Sequence, residues 1–278
     1  MSDFLSALQQ HAFLQYALLG GLLASICCGI VGTYVVAKRI AYLASGIAHT
    51  ILGGMGIAAY LGASPQLGAL IAALVAAILI GWINLRWREH EDTLISVMWS
   101  VGMAVGIVFV AKTPGYTTDL MSYLFGNILM LSPTELYWMV ALDVTLILLV
   151  WWLRRPFLAL CFDEEYARLR GVPVVPLYML LLCMVAVTVV VLTQVVGLIL
   201  VIALLTLPAA IAGQFTRRLH LIMFSSIGLG MLLTSGGLAL SFGPDLPTGA
   251  SIILLAGLAY LATLLLKKLR LSNVVTKQ

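Results

Sequence analysis

The chain has 278 residues, 62% of them hydrophobic and 9% charged, with a mean hydropathy of +1.11. That composition excludes a soluble globular domain. The net charge of +4 is concentrated in short interruptions between apolar runs, so it reads as membrane topology and not as a nucleic-acid surface.

A helix needs about 20 apolar residues to cross the hydrocarbon core. Runs of that kind lie at 12–37, 43–62, 66–85, 93–111, 133–153, 176–193, 195–215, 219–242 and 248–266. The expected fold is therefore an all-α polytopic membrane protein of nine transmembrane helices, a single membrane domain over 1–278. The break "TQVV" (193–196) between the sixth and seventh runs is weak, which leaves eight or ten spans as alternatives. The first run is too long for a secretory signal and lacks its basic start and cleavage site, so it reads as a retained span.

If nine spans alternate from an N-terminus outside, fourteen basic residues (Lys38, Arg39, Arg86, Arg88, Arg154, Arg155, Arg168, Arg170, Arg217, Arg218, Lys267, Lys268, Arg270 and Lys277) share one face and only Lys112 falls on the other. Cytoplasmic loops near spans retain Lys and Arg, so the C-terminus is expected on the cytoplasmic side. Cys27, Cys28 and Cys183 lie in or at the edge of apolar runs and Cys161 lies in a cytoplasmic loop. They form no disulfide framework and read as small, soft packing groups.

In the second run, "LASGIAHTILGGMGIAAYLG" (43–62), Ser45, His49, Gly53, Gly56 and Tyr60 recur every three or four residues and share a helix face. The glycines let another helix approach closely or leave open volume beside the imidazole. His49 has two readings, a ligand lining an ion path or polar glue to a neighbouring helix. The outer segment 112–132 is too short and punctuated for a span and suits an interfacial or re-entrant helix. It carries Asp119, which, like Asp245 in a later outer loop, could attract a cation or simply be solvated. Asp143 sits near the middle of the fifth run, where a lipid-facing carboxylate is costly. It is either locally satisfied or a second oxygen donor for the path.

The inner segment 154–175, "RRPFLALCFDEEYARLRGVPVV", contains a short helix with deliberate ends. Asp163, Glu164 and Glu165 open it, where carboxylates favour the positive end of the dipole. Arg168 and Arg170 lie near its end, Gly171 stops it, and Pro173 follows. It is either a solvated connector or a docking element. His90 and His220 sit in charged cytoplasmic segments, and His11 lies near the outer end of the first run, without a surrounding motif. Pro208, inside the seventh run, removes a backbone donor and is expected to kink that helix.

The loop "FDEEYARLRGVPV", followed by "VVGLILVIALLTLPAAIA" (195–212) and "DLPTGASIILLAG" (245–257), resembles the permease subunits of bacterial metal-ion ABC importers. The resemblance implies an inner-membrane homodimer, a cytoplasmic ABC ATPase bound to each copy, and an extracytoplasmic metal-binding protein that delivers zinc, manganese or iron. It also implies that Asp163, Glu164, Glu165, Tyr166, Arg168 and Gly171 belong to the coupling helix seated on the ATPase. The family usually carries an aspartate four residues before the path histidine, and here Ser45 stands in that place. A site reduced to imidazole favours zinc by ligand type, with manganese, iron or a chelated metal as alternatives.

No Gly-Lys dipeptide occurs, so the chain has no phosphate-cradling G-x-x-x-x-G-K-[ST] loop. No H-E-x-x-H motif or acid-base pair at membrane depth suggests an enzyme, and no tightly bound cofactor is expected. A transporter that works without an ATPase, using Asp143, is the rival of another class.

Overall fold

A computed structural model describes residues 2–86, 91–113, 126, 128–244 and 246–275. Among them no strand occurs, and the elements are α1 (Ser2–Gln10), α2 (Ala12–Ala37), α3 (Ala41–Tyr60), α4 (Pro65–Arg86), α5 (Glu91–Lys112), α6 (Pro133–Trp152), α7 (Arg154–Phe162), α8 (Glu164–Leu169), α9 (Val174–Val196), α10 (Leu198–Phe215), α11 (Leu219–Phe242) and α12 (Thr248–Val275). Nine of the described helices are long and apolar enough to cross a membrane, in the order and near the bounds expected from the apolar runs.

Three features were not anticipated. The short helices α1 and α7 lie outside the spans, and a 3-10 turn covers Ile128–Met130. The rest of the outer segment 112–132 lies largely outside the described residues, as do Asp119, Asp245 and His90.

The sixth and seventh runs are separate helices because Gly197 adopts φ +82°, which an L side chain rarely tolerates. Gly126 packs against this corner: a Cβ on it would lie 2.2 Å from the Val196 carbonyl carbon. At the start of α6, Ser132 and Glu135 form a reciprocal cap. The Glu135 amide donates to Ser132 Oγ at 3.3 Å and the Ser132 amide donates to Glu135 Oε2 at 2.8 Å. Pro208 lies inside α10 and is buried.

Helices in lipid gain little from hiding apolar surface, because acyl chains are as apolar as leucine, so they associate by close packing. The most enclosed span, α2, packs against α6, α10 and α11. A second group, α3, α4 and α5, joins it through α9, which touches α4, α2 and α10.

Small residues occupy both sets of contacts. A Cβ on Gly32 of α2 would overlap the Leu205 carbonyl oxygen of α10. Along the α3–α5 seam, a Cβ on Gly53 would lie 2.8 Å from the Gly102 carbonyl oxygen, and one on Gly56 would lie 2.6 Å from that of Gly106. The glycines of the second run thus serve close approach at these levels.

Gly53→Val should force α3 from α5 and cost about 1–3 kcal/mol, seen as a lower midpoint of thermal unfolding in detergent. Gly257→Ala, where an added Cβ meets nothing within 4 Å, should leave the midpoint unchanged.

Candidate functional site

His49 lies one helical turn before Gly53, on the flank of the α3–α5 seam. Its ring stacks on Trp99 of α5, with centroids 4.3 Å apart and planes within 8°. The Trp99 Nε1–H donates to Met103 Sδ at 3.2 Å, which helps hold the indole. His49 Nδ1 is buried and has no hydrogen-bond partner. A buried polar atom without a partner is costly, so this nitrogen is available to a ligand that enters beside it.

Ser45 is half-buried and lies one turn nearer the N-terminus of α3. Tyr60, at the other end of the helix, makes an edge contact with Phe109 of α5 at 5.4 Å. Sequence reasoning missed Trp99. The available signal was the spacing of Gly102 and Gly106 in the fourth run, which complements Gly53 and Gly56.

Asp143 belongs to a different place. It is 4% exposed, on the side of α6 that faces α2, and its Oδ1 accepts a hydrogen bond from Cys27 Sγ at 2.7 Å. Its Oδ2 has no partner. Among the described residues, α3 and α6 share no extended contact, and Asp143 is paired with Cys27. Cys27 is therefore more than a packing group, since it donates to the carboxyl. No three His, Cys, Asp or Glu side chains among the described residues converge on a common point.

Between α6 and α9, α7 and α8 form a compact unit. Phe157 and Leu160 of α7 and Ala167 of α8 are fully buried, and Phe157 contacts the Tyr34 ring of α2 at 5.1 Å. Asp163 caps α8, its Oδ1 accepting from the Tyr166 amide at 2.8 Å. Gly171 ends the helix at φ +74° with its Cβ direction open, the left-handed stop that glycine favours. Arg170 Nε donates to the Tyr166 hydroxyl at 2.8 Å and the guanidinium lies over the Tyr166 ring.

Glu164 pairs with Lys38, which belongs to the connector between α2 and α3. That connector is tight enough to hold Arg39 at φ +60°. Burial raises the nearby Cys161 thiol to about 11, with the Lys38 charge offsetting part of the effect.

The faces of α8 and its entry that turn from the bundle are apolar and exposed. Leu169 is 87% exposed, Phe162 64% and Tyr166 50%. Glu165 and Arg168 are also exposed. Large apolar groups projecting from a well-capped helix suit a protein partner better than water.

Comparison with known proteins agrees with this architecture. The family model described as "ABC 3 transport family" matches residues 10–267. The chain is 41% identical over 256 residues to a protein of Chlamydia pneumoniae named "Probable metal transport system membrane protein", covering 90% of this chain and 87% of that one. It is 32% identical over 256 residues to the manganese transport system membrane protein MntC of Halalkalibacterium halodurans, with 92% and 88% covered. Among solved structures, PsaBC from Streptococcus pneumoniae in complex with Fab superposes with a TM-score of 0.85 at 30% identity, over 94% of each chain. The chain belongs to the ABC 3 transport family. It is a multi-pass membrane permease subunit of a metal-ion ABC importer, and not itself an enzyme.

The Lys38–Glu164 pair is open to a direct test. Lys38→Glu should lower thermal stability by about 1 kcal/mol, and the exchange Lys38→Glu/Glu164→Lys should recover most of that loss. A swap no more stable than the single variant would show that the two side chains do not depend on each other.

Proposed function

We propose that the importer to which this subunit belongs carries zinc inward, and that His49 is a ligand on the path. The observation that carries the reading is the buried, partnerless Nδ1 of His49, held by the Trp99 stack on a helix whose neighbouring position is Ser45 and not a carboxylate. An imidazole with no adjacent anionic oxygen suits zinc better than manganese, which takes hard oxygen donors. One such nitrogen makes a weak site, and a transport site must release its ion.

In this reading two copies of the chain face each other across the path, and each contributes a His49. That arrangement would supply the donors that a single copy lacks among its described residues. An ABC ATPase, on a separate polypeptide, docks against Phe162, Tyr166 and Leu169, and Asp163, Glu164, Glu165, Arg168 and Gly171 shape and charge the same coupling element. The gathering of basic residues at the α7–α8 end supports a cytoplasmic position for this face. An extracytoplasmic binding protein delivers the ion at the opposite face, where Asp119 and Asp245 are candidate attractors. Asp143, paired with Cys27, is a local contact between α2 and α6 and not a second path donor.

A manganese importer is the second reading, favoured by the name of the Halalkalibacterium relative. The test is uptake of zinc, manganese and iron into vesicles containing the reconstituted importer. Zinc uptake that falls roughly tenfold or more in His49→Ala, while the ATPase still copurifies, supports both parts of the proposal. Manganese uptake without zinc uptake would favour the second reading, and full uptake in a well-assembled His49→Ala would remove His49 from the path.

A further inference from the structure

A groove on the cytoplasmic half of the bundle belongs to neither the path histidine nor the α8 surface. It runs between α2, α6, α7 and α11 and encloses about 630 Å³. Its walls are apolar, built from residues such as Ile26, Ile30, Ile147 and Met223, and Trp151 and Phe224 stand exposed at its lips. From Ile26 to Tyr34 the α2 wall runs eight residues, roughly 12 Å at the helical rise. Most of the trough therefore lies at the depth of the hydrocarbon, out of reach of a water-soluble ligand or partner.

Its cytoplasmic end has the opposite character. Arg154, Arg155 and His220 line the rim, and all three are exposed. Neither arginine has a carboxylate within ion-pair distance among the described residues, where Lys38–Glu164 is the ion pair found. Two guanidinium groups with no carboxylate partner among the described residues thus stand at the mouth of an apolar trough that is open at the surface of the bundle. The occupant must combine an apolar tail with an anion one headgroup away. Basic pockets between spans on the cytoplasmic side favour anionic headgroups in this way, and guanidinium groups suit phosphate geometry.

We propose that this groove binds one anionic phospholipid of the cytoplasmic leaflet. An acyl chain lies along α2 between α6 and α11, and the phosphate is held by Arg154 and Arg155. The proposal is independent of the metal carried.

The test is native mass spectrometry of the full-length chain released from micelles containing phosphatidylglycerol or phosphatidylcholine. The wild type should retain one phosphatidylglycerol under activation that strips phosphatidylcholine. Arg154→Gln/Arg155→Gln should reduce that retention by roughly tenfold or more. Met223→Trp, which fills the trough and leaves both charges, should reduce it as well. Arg217→Gln/Arg218→Gln, on exposed basic residues outside the groove, should not.

Equal loss in the Arg217/Arg218 variant would mean general attraction to a basic surface and would overturn the site. So would undiminished retention in the Arg154/Arg155 variant, or displacement of the lipid by glycerol phosphate at comparable concentration, which would make the occupant a free anion. If Arg154→Gln/Arg155→Gln instead abolished ATPase copurification without changing lipid retention, the arginines would belong to a protein interface and the lipid proposal would fail.

Discussion

Backbone-to-backbone contact between helices is the interaction on which this structure depends. In lipid, the ordinary gain from burying apolar side chains between helices is small, and packing has to come from surfaces that fit closely. Glycine supplies those surfaces at Gly32 against Leu205, and at Gly53 and Gly56 against Gly102 and Gly106. The second of these seams sets where α3 sits on α5, and with it the stacking of His49 on Trp99. The buried, partnerless nitrogen of His49 is thus positioned by the absence of side chains a turn or two away.

The same economy of contact links the α7–α8 unit to the helix that carries His49. Glu164, at the start of α8, pairs with Lys38, and Lys38 is followed by only Arg39 and Ile40 before α3 begins. Four residues farther than Ser45 along that helix is His49. A displacement of α8 by a partner therefore has a short, ordered route to the helix carrying the histidine, through one ion pair and a connector held at φ +60°. Phe157 against Tyr34 gives α7 a parallel hold on the end of α2. Both contacts make the α7–α8 unit part of the bundle and not a tethered loop.

Much of the fold was legible because a bilayer imposes a length on every spanning helix. Nine apolar runs gave nine spanning helices among the described residues, and the weak "TQVV" break became a true corner at Gly197. Helix α7 was hidden because "RRPFLALCF" opens with two arginines and a proline, which reads as a loop although proline is tolerated in a first turn. Helix α1 was too short to show a span-length signal. At the site, His49 stood out by composition, but its partner did not, since Trp99 meets it only after two helices pack. Asp143 was recognised as needing a partner at membrane depth, yet nothing in one sequence named Cys27 as the donor.

The central claim is that His49 binds the transported ion. X-ray absorption at the K-edge of zinc trapped in the assembled importer tests it most directly. The account predicts imidazole scattering around the metal in the wild type and its loss in His49→Ala. A metal environment that is the same in both proteins, or that contains no imidazole in the wild type, would contradict it.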